Sequence, residues 1–211
     1  MTGVCALSCE SLDVWRGDRH LCHNLSFRAA AGQAVRLHGA NGAGKTTLIR
    51  ILAGLSPPES GRVCWNGQPL AKAGEVYRRE LAFLGHSNGL KPNLTPTENL
   101  TAYSSMMGAS PVMPIRDALA RLGVAELAHR ACGSMSMGQQ RRTALARLLL
   151  SPARLWLLDE PLTSLDVSGV ALLADLIKSH LGRGGLVIFA THQPLDLGSQ
   201  RVDTVTLGGT A

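Results

Sequence analysis

One stretch of nine residues constrains this chain more than any other, because it fits the phosphate-binding pattern G-x-x-x-x-G-K-[ST]. Glycines let the backbone curl until successive N–H groups point at phosphate oxygens. The pattern predicts that Lys45 supplies positive charge to the β- and γ-phosphates of a nucleotide and that the Thr46 hydroxyl ligates Mg²⁺. The residues expected to surround the phosphates are Gly39, Ala40, Asn41, Gly42, Ala43, Gly44, Lys45, Thr46 and Thr47.

The segments on either side of this phosphate loop have the character that such a loop requires. Residues 33–38 are typical of a strand that enters the loop, and residues 46–55 of a helix that leaves it. The N-terminus of that helix adds a favourable dipole for an anion. A glycine-rich turn that binds nothing is the alternative, but Lys45 and Thr46 directly after the last glycine argue against it.

Length and composition favour a single soluble domain. The chain has 211 residues, of which 45% are hydrophobic and 17% charged, and this suits one well-packed core. No apolar run approaches the roughly 18 residues of a membrane span, and no secretory signal pattern is apparent. Five scattered cysteines without a C-x-x-C pair favour reduced, mostly buried thiols over disulfides, a zinc site or attached haem.

The net charge of +6 admits a nucleic-acid partner. The arginines are dispersed, however, and only 4% of the residues are aromatic, which offers little base stacking. An anionic membrane surface or simple solubility accounts for the charge equally well. The net charge therefore does not show whether the chain binds nucleic acid, contacts a membrane surface or is simply kept soluble.

Strand and helix patterns alternate along most of the chain. Apolar runs predict an antiparallel hairpin over residues 5–27 and later strands at 62–65, 81–84, 155–158, 186–190 and 202–207. Helices are expected from residue 95, where Thr95, Pro96 and Glu98 form a capping-box start, and at 115–122, 136–150 and 167–181. This alternation predicts an α/β fold with a mostly parallel sheet, helices on both faces and an antiparallel β edge.

Two adjacent carboxylates, Asp159 and Glu160, follow the apolar strand at 155–158. Acids at a buried strand end are costly unless a cation or a function needs them. We expect Asp159 to contact Mg²⁺, directly or through water, and Glu160 to polarise an attacking water molecule. A phosphate loop alone fits kinases, GTPases, helicases and transport ATPases, and this acidic pair is one of the downstream features that narrow the choice.

Ser136 and Gln139 open a long helix with a second capping-box pattern, and a purely structural role for them stays open. In the functional interpretation Ser136, the Gly138 amide and the helix N-terminus form an anion site for a γ-phosphate. In context, Ser136, Gly138 and Gln139 resemble the L-S-G-G-Q signature of the ATP-binding cassette (ABC) family, although Met135 and Met137 replace the usual Leu and Gly.

This resemblance covers nearly the whole chain and implies the fold of an ABC ATPase. It implies one nucleotide-binding domain over residues 1–211, with a RecA-like core at 1–86 and 137–211. Residues 87–136 would then form a small helical subdomain next to the signature.

The resemblance also implies roles for three further residues. Trp15 stands where the family stacks an aromatic ring on adenine, although ordinary packing at a strand end stays open. His86 replaces a glutamine that senses Mg²⁺ and the membrane partner, which leaves the role of that loop open. His192 matches a histidine that contacts the γ-phosphate, and residues 164–166 match the loop that follows the acidic pair.

A finer likeness points to the ATPase of the haem exporter of cytochrome c biogenesis. His86, the Gln-Gln-Arg-Arg of residues 139–142 and the Thr-His-Gln-Pro-Leu of residues 191–195 carry it. Several small export ATPases share some of these marks. The ATPase subunit of another small exporter, of lipids or drugs, is therefore the alternative.

The family likeness implies a head-to-tail pair of copies with ATP and Mg²⁺ between them. Lys45, Thr46, Asp159, Glu160 and His192 would come from one copy, and Ser136 and Gly138 from the other. Integral-membrane ABC subunits would be the partners of a peripheral protein on the cytoplasmic face of the bacterial inner membrane. The region around residues 90–94 is the expected docking surface.

No direct haem binding and no nucleic-acid partner are expected. A soluble cassette ATPase that acts on nucleic acid or ribosomes commonly carries two cassettes or a coiled-coil insertion, and the sequence shows neither, nor a basic stripe. A nucleotide-binding scaffold without catalysis is disfavoured because Glu160 and His192 are both present.

Overall fold

Two β-sheets form the frame of this protein. A computed structural model of the chain describes residues 6–107 and 110–208, apart from the side chain of Arg19. The strands are β1 (Ala6–Arg16), β2 (Arg19–Ala30), β3 (Ala34–His38), β4 (Ser60–Trp65), β5 (Gln68–Pro69), β6 (Leu81–Leu84), β7 (Leu155–Asp159), β8 (Leu186–Ala190) and β9 (Val202–Thr206). The helices are α1 (Lys45–Leu52), α2 (Leu70–Arg79), α3 (Pro96–Met106), α4 (Ile115–Arg121), α5 (Met137–Leu150) and α6 (Val167–Gly182). Short 3₁₀ turns occupy Ala125–Leu127 and Cys132–Ser134.

The two sheets differ in strand direction. One has the order β2-β1-β4-β5 and is antiparallel. The other has the order β6-β7-β8-β3-β9, and its strand pairs are all parallel. The predicted α/β fold is confirmed, with the antiparallel strands in a sheet of their own rather than on the edge of the parallel one. The predicted start of the hairpin at Cys5 lies outside the described residues.

The central parallel strands are buried on both faces, which explains their unbroken apolar sequences. Successive side chains of a strand point to opposite faces. In β7, Leu155 and Leu157 accordingly pack into the core that α1 and the antiparallel sheet cover. Trp156 and Leu158 pack into a second core on the other face, with side chains of α4, α5 and α6.

Two helices start as the sequence predicts. Thr95 caps α3 and Ser136 caps α5, each in a reciprocal capping box with the side chain three residues later. Helix α2 has no such signal: Pro69 precedes it, no side chain caps it, and Gly74 has non-helical angles (φ 45°, ψ −118°) inside it. For this reason the sequence patterns did not predict α2.

Topology brings the candidate site residues to one edge of the parallel sheet. The phosphate loop follows β3, Glu160 follows β7, and His192 lies just beyond the end of β8. Carboxyl ends of parallel strands share an edge, where ligands commonly bind.

In the described ranges, none of the helices is both long and apolar enough to cross a membrane. Four cysteines, Cys9, Cys22, Cys64 and Cys132, are free and buried, as predicted for them.

His180 on α6 is a buried titratable group whose surroundings favour its neutral form. Its ring stacks on Trp156 with centroids 3.9 Å apart, and its Nε2 lies 3.0 Å from the Arg154 carbonyl oxygen. Burial lowers the pKa of His180 to about 4, and the carbonyl contact opposes this only partly. An unfolded histidine has a pKa near 6.5.

Between pH 6.5 and 4 the unfolded chain therefore binds a proton that the folded chain excludes, so the free energy of unfolding falls as the pH falls. We expect His180→Gln to make this pH dependence shallower, by up to about 1.4 kcal/mol per pH unit. Urea denaturation at a series of pH values measures the slope. The matched control is His129→Gln, an exposed histidine, which should keep the wild-type slope. Equal slopes in wild type and His180→Gln would contradict the argument.

Candidate nucleotide-binding and hydrolysis site

The phosphate loop between β3 and α1 adopts a curled backbone that side chains would obstruct. Gly42 and Gly44 have positive φ angles of 78° and 98°. A Cβ atom on Gly44 would lie 2.9 Å from the Cβ of Leu21, and one on Gly39 would lie 2.7 Å from the Leu207 carbonyl oxygen. These contacts explain why glycine is required at both positions.

Lys45, the first residue of α1, is held inside the curl of the loop. Its Nζ donates to the carbonyl oxygens of Gly39 (2.8 Å) and Ala40 (3.0 Å), and the residue is only 8% exposed. The ammonium group therefore lies inside the loop, at the position where a phosphate is predicted to bind. Phosphate oxygens are stronger acceptors for it than neutral carbonyls, because their hydrogen bonds are charge-assisted.

Thr46 and Asp159 form the candidate metal site. The Thr46 hydroxyl donates to Asp159 Oδ1 over 3.2 Å. Asp159 is 3% exposed. Within the described part of the chain its carboxylate forms no close ion pair, and the Arg141 guanidinium acts on it only electrostatically. A buried carboxylate is stabilised by a cation, and hydroxyl and carboxylate oxygens are ligands that Mg²⁺ prefers. These residues therefore fit Mg²⁺.

Glu160 and His192 face each other at the ends of β7 and β8. Glu160 has a positive φ of 47°, and its N–H donates to the Ala190 carbonyl oxygen over 2.9 Å. This backbone turn aims the carboxylate at His192, whose Nε2 lies 3.5 Å from Glu160 Oε1. The carboxylate is thus positioned to accept a proton, with a second polar group beside it.

Lys45, Thr46, Glu160 and His192 border one cavity of about 360 Å³, and Asp159 is not among its lining residues. His86 is part of its wall, so the structure brings the predicted metal-sensing position to the phosphate loop. Its lining residues are Arg16, Leu21, Asn41, Gly42, Gly44, Lys45, Thr46, Thr47, His86, Glu160, Thr163 and His192.

The signature residues lie elsewhere on the chain. Ser136, Gly138 and Gln139 line a separate cavity of about 410 Å³ with Arg142 and Asp166, and it shares no lining residue with the phosphate-loop cavity. A Cβ atom on Gly138 would come within 2.8 Å of the Ser164 carbonyl oxygen, so the helix start packs tightly on the loop after the acidic pair. The phosphate-loop residues and the signature residues of one chain therefore line two separate cavities.

Trp15 is not among the residues that line either cavity, although Arg16 next to it lines the phosphate-loop cavity. Trp15 is 45% exposed, and one face of its ring stacks on His20 with centroids 4.3 Å apart and planes 6° apart. Adenine stacking by Trp15 stays a prediction.

Arg141 on α5 is a buried residue beside the site to which the sequence patterns assigned no role. It is 1% exposed and donates to the carbonyl oxygens of Glu160 (2.7 Å) and Gly85 (3.1 Å) and to Asn88 Oδ1 (3.1 Å). Burial lowers its pKa to about 10, which keeps it charged at neutral pH. The only sequence signal was the doubled arginine of residues 141–142.

Comparison with known proteins defines the class first. The profile of the family described as ABC transporter matches residues 22–163. A putative ABC transporter ATP-binding protein from Pyrococcus furiosus has a TM-score of 0.80 and 26% identity, over 94% of this chain and 96% of that one. An ATP-binding cassette solved as a dimer with ADP and phosphate has a TM-score of 0.78 and 22% identity, over 89% of this chain and 88% of that one, and supports the fold. The class is the ABC-type ATPase.

Curated relatives then define the branch. The "Cytochrome c biogenesis ATP-binding export protein CcmA" of Photobacterium profundum is 44% identical, over 96% of this chain and 99% of the relative. The protein of the same name from Dechloromonas aromatica is 41% identical, over 96% of this chain and all of the relative. The chain therefore belongs to the ABC transporter family, in the CcmA branch. It is an ATP-hydrolysing transporter subunit, which confirms the predicted family, fold and enzyme class.

We expect Glu160→Gln to lower the ATP turnover rate by about 10²- to 10⁴-fold, because the amide cannot accept a proton from the attacking water. ATP affinity should change little, since the role predicted for the carboxylate is to polarise the water, and Lys45 and the phosphate loop are predicted to hold the phosphates. Phosphate release and equilibrium ATP binding measure the two effects. Lys45→Ala is the contrasting variant and should lose ATP binding itself. Hydrolysis by Glu160→Gln at the wild-type rate would remove Glu160 from the mechanism.

Proposed function

We propose that this chain is the ATP-hydrolysing subunit of the haem exporter of cytochrome c maturation. In this proposal it couples ATP binding and hydrolysis to transport, or to release of a haem-loaded chaperone. It acts as a peripheral protein on the cytoplasmic face of the bacterial inner membrane, with integral-membrane ABC subunits. The likeness to cytochrome c biogenesis export proteins over nearly the full chain carries this proposal.

Two copies of the chain complete the site between them. The separation of the two cavities supports this step, because the signature cavity of one chain has no phosphate loop of its own in it. Lys45 and Thr46 of one copy hold the phosphates, and Ser136, Gly138 and Gln139 of the other close over the γ-phosphate. Charge-assisted hydrogen bonds to that phosphate hold the pair together, and its removal by hydrolysis weakens the pair.

The hydrolytic step follows from the geometry at the sheet edge. Glu160 orients a water molecule and takes its proton, while Lys45 and His192 stabilise the charge on the γ-phosphate. Thr46 and Asp159 would hold Mg²⁺, which supplies charge neutralisation at the β- and γ-phosphates. His86 on the cavity wall would bind a water molecule near the metal, and Trp15 would stack on adenine.

Hydrogen bonds from two arginines of α5 connect the proposed hydrolytic site to the proposed docking surface. Arg141 binds both the Glu160 carbonyl oxygen and Asn88. Arg147, one further turn and a half along α5, donates to the carbonyl oxygens of Asn88 (3.0 Å) and Gly89 (2.6 Å). In this proposal the hydrogen bonds of Arg141 and Arg147 transmit movements at the end of β7 to residues 88–89. These residues begin the helical subdomain at 87–136, between the core segments 1–86 and 137–211, and the membrane subunits dock beside them near Leu90 and Leu94.

A genetic experiment tests the proposed function. We expect that deleting the gene in the source organism abolishes covalently attached haem in c-type cytochromes, as seen on haem-stained gels. Wild-type protein should restore the stain and Glu160→Gln should not, at equal protein level. Membrane proteins of cytochrome c assembly should also copurify with the chain in mild detergent. Normal c-type cytochromes after deletion, with altered lipid or drug export, would identify another small exporter instead.

A further inference from the structure

Three potential metal ligands meet on the β1–β2 hairpin, outside the nucleotide site. They are Asp13, His20 and His23, and their ligand atoms all lie within 4.8 Å of one another. Neither phosphate binding nor hydrolysis uses these side chains. Their position raises the question of what such a set can bind.

The separations match those of a small coordination sphere. His23 Nδ1 lies 2.9 Å and His20 Nε2 lies 3.2 Å from the same oxygen, Asp13 Oδ1. Ligand atoms around a tetrahedral Zn²⁺ with bonds of about 2.0–2.1 Å are about 3.3 Å apart. Small side-chain rotations would therefore suffice to place an ion among the three atoms.

An irregular backbone brings the two histidines to one side. His20 and His23 are three residues apart on β2, and in a regular strand their side chains would point to opposite faces. The pairing register between β1 and β2 shifts twice between Leu12 and Trp15, and Asn24 has a positive φ of 48°. These backbone irregularities place both imidazoles on the side of Asp13.

Neighbouring groups hold two of the three side chains in place. The Ser60 hydroxyl on β4 donates to Asp13 Oδ2 over 2.8 Å, which leaves Oδ1 to face the histidines. The ring of His20 is stacked on Trp15. Such outer contacts orient ligands in metal sites and contribute to affinity. His23 is the most exposed of the three, with 78% of its side chain accessible, and it can move to an incoming ion.

We propose that Asp13, His20 and His23 bind one divalent transition-metal ion, and that Zn²⁺ is its best match. Two imidazole nitrogens and one carboxylate oxygen suit borderline cations such as Zn²⁺, whereas Mg²⁺ and Ca²⁺ prefer oxygen ligands alone. Three protein ligands leave a fourth position for water. The site is distinct from the Mg²⁺ position at Thr46 and Asp159.

The bound ion would tie the hairpin together beside the nucleotide. It would join β1 to β2 directly and, through Ser60, engage β4. Arg16 and Leu21 of the same hairpin line the phosphate-loop cavity. The metal would thus fix the backbone that borders the nucleotide without touching the reacting atoms.

Calorimetric titration of the tag-free chain with Zn²⁺ tests the proposal, in excess Mg²⁺ to fill oxygen sites and with a phosphine reductant. We expect one saturable Zn²⁺ per chain in the wild type. His23→Gln and Asp13→Asn should each weaken that binding by about tenfold or more, since losing a ligand costs at least as much as losing an outer contact. The matched control His129→Gln, another exposed histidine, should bind Zn²⁺ like the wild type.

Thermal unfolding supplies a second readout that also shows whether the variants fold. Zn²⁺ should raise the midpoint temperature of the wild type and of His129→Gln, because a ligand of the folded state stabilises it. His23→Gln should unfold cooperatively without responding to Zn²⁺. The absence of saturable binding would overturn the proposal and leave a purely hydrogen-bonded cluster. Unchanged affinity in both His23→Gln and Asp13→Asn would overturn it by placing the ion elsewhere.

Discussion

The buried guanidinium of Arg141 is the interaction on which the arrangement of the site depends. Removing a charge from water is costly unless hydrogen bonds replace the lost hydration. Arg141 makes five such bonds, to the carbonyl oxygens of Gly85, Asp159, Glu160 and Pro161 and to the side chain of Asn88. One side chain of α5 thereby fixes the turn after β7 and the segment after β6. No apolar residue could satisfy those acceptors.

This connection explains how one helix serves two sites. Ser136 caps the start of α5 and faces the signature cavity, while Arg141, just over one turn later, holds the backbone that aims Glu160. In the proposed dimer, contact of the helix start with a partner's nucleotide would therefore be linked through α5 to the carboxylate of Glu160 in the same chain. Arg147 extends the linkage to residues 88–89 at the surface. Helix α5 thus borders the signature cavity and contacts both the turn after β7 and residues 88–89, the places proposed for nucleotide binding, hydrolysis and docking.

Local patterns predicted those parts of the molecule that local physics determines. The phosphate loop, the capping boxes at Thr95 and Ser136 and the buried strands β7 and β8 follow from glycine placement, caps and apolar runs. Helix α2 was not predicted because it has no side-chain cap after Pro69 and has Gly74 with non-helical angles inside it. Arg141 escaped because a charged helical residue is usually solvated, and its burial arises only when distant segments meet. The cluster of Asp13, His20 and His23 was not predicted because it depends on register shifts between β1 and β2 that the sequence does not indicate.

The proposal that two copies complete each other's nucleotide site can be tested with two purified mixed dimers, whose ATPase activities are compared. Ser136→Asp keeps a helix cap but puts a negative charge against the γ-phosphate, and Lys45→Ala disables the phosphate loop. The first mixed dimer pairs a Ser136→Asp chain with a Lys45→Ala chain, and one of its two composite sites has neither substitution. The second pairs a wild-type chain with a chain that carries both substitutions, and each of its composite sites then has one of them. We expect the first mixed dimer to hydrolyse ATP and the second not to. Activity in the second and not in the first would show that each chain works alone.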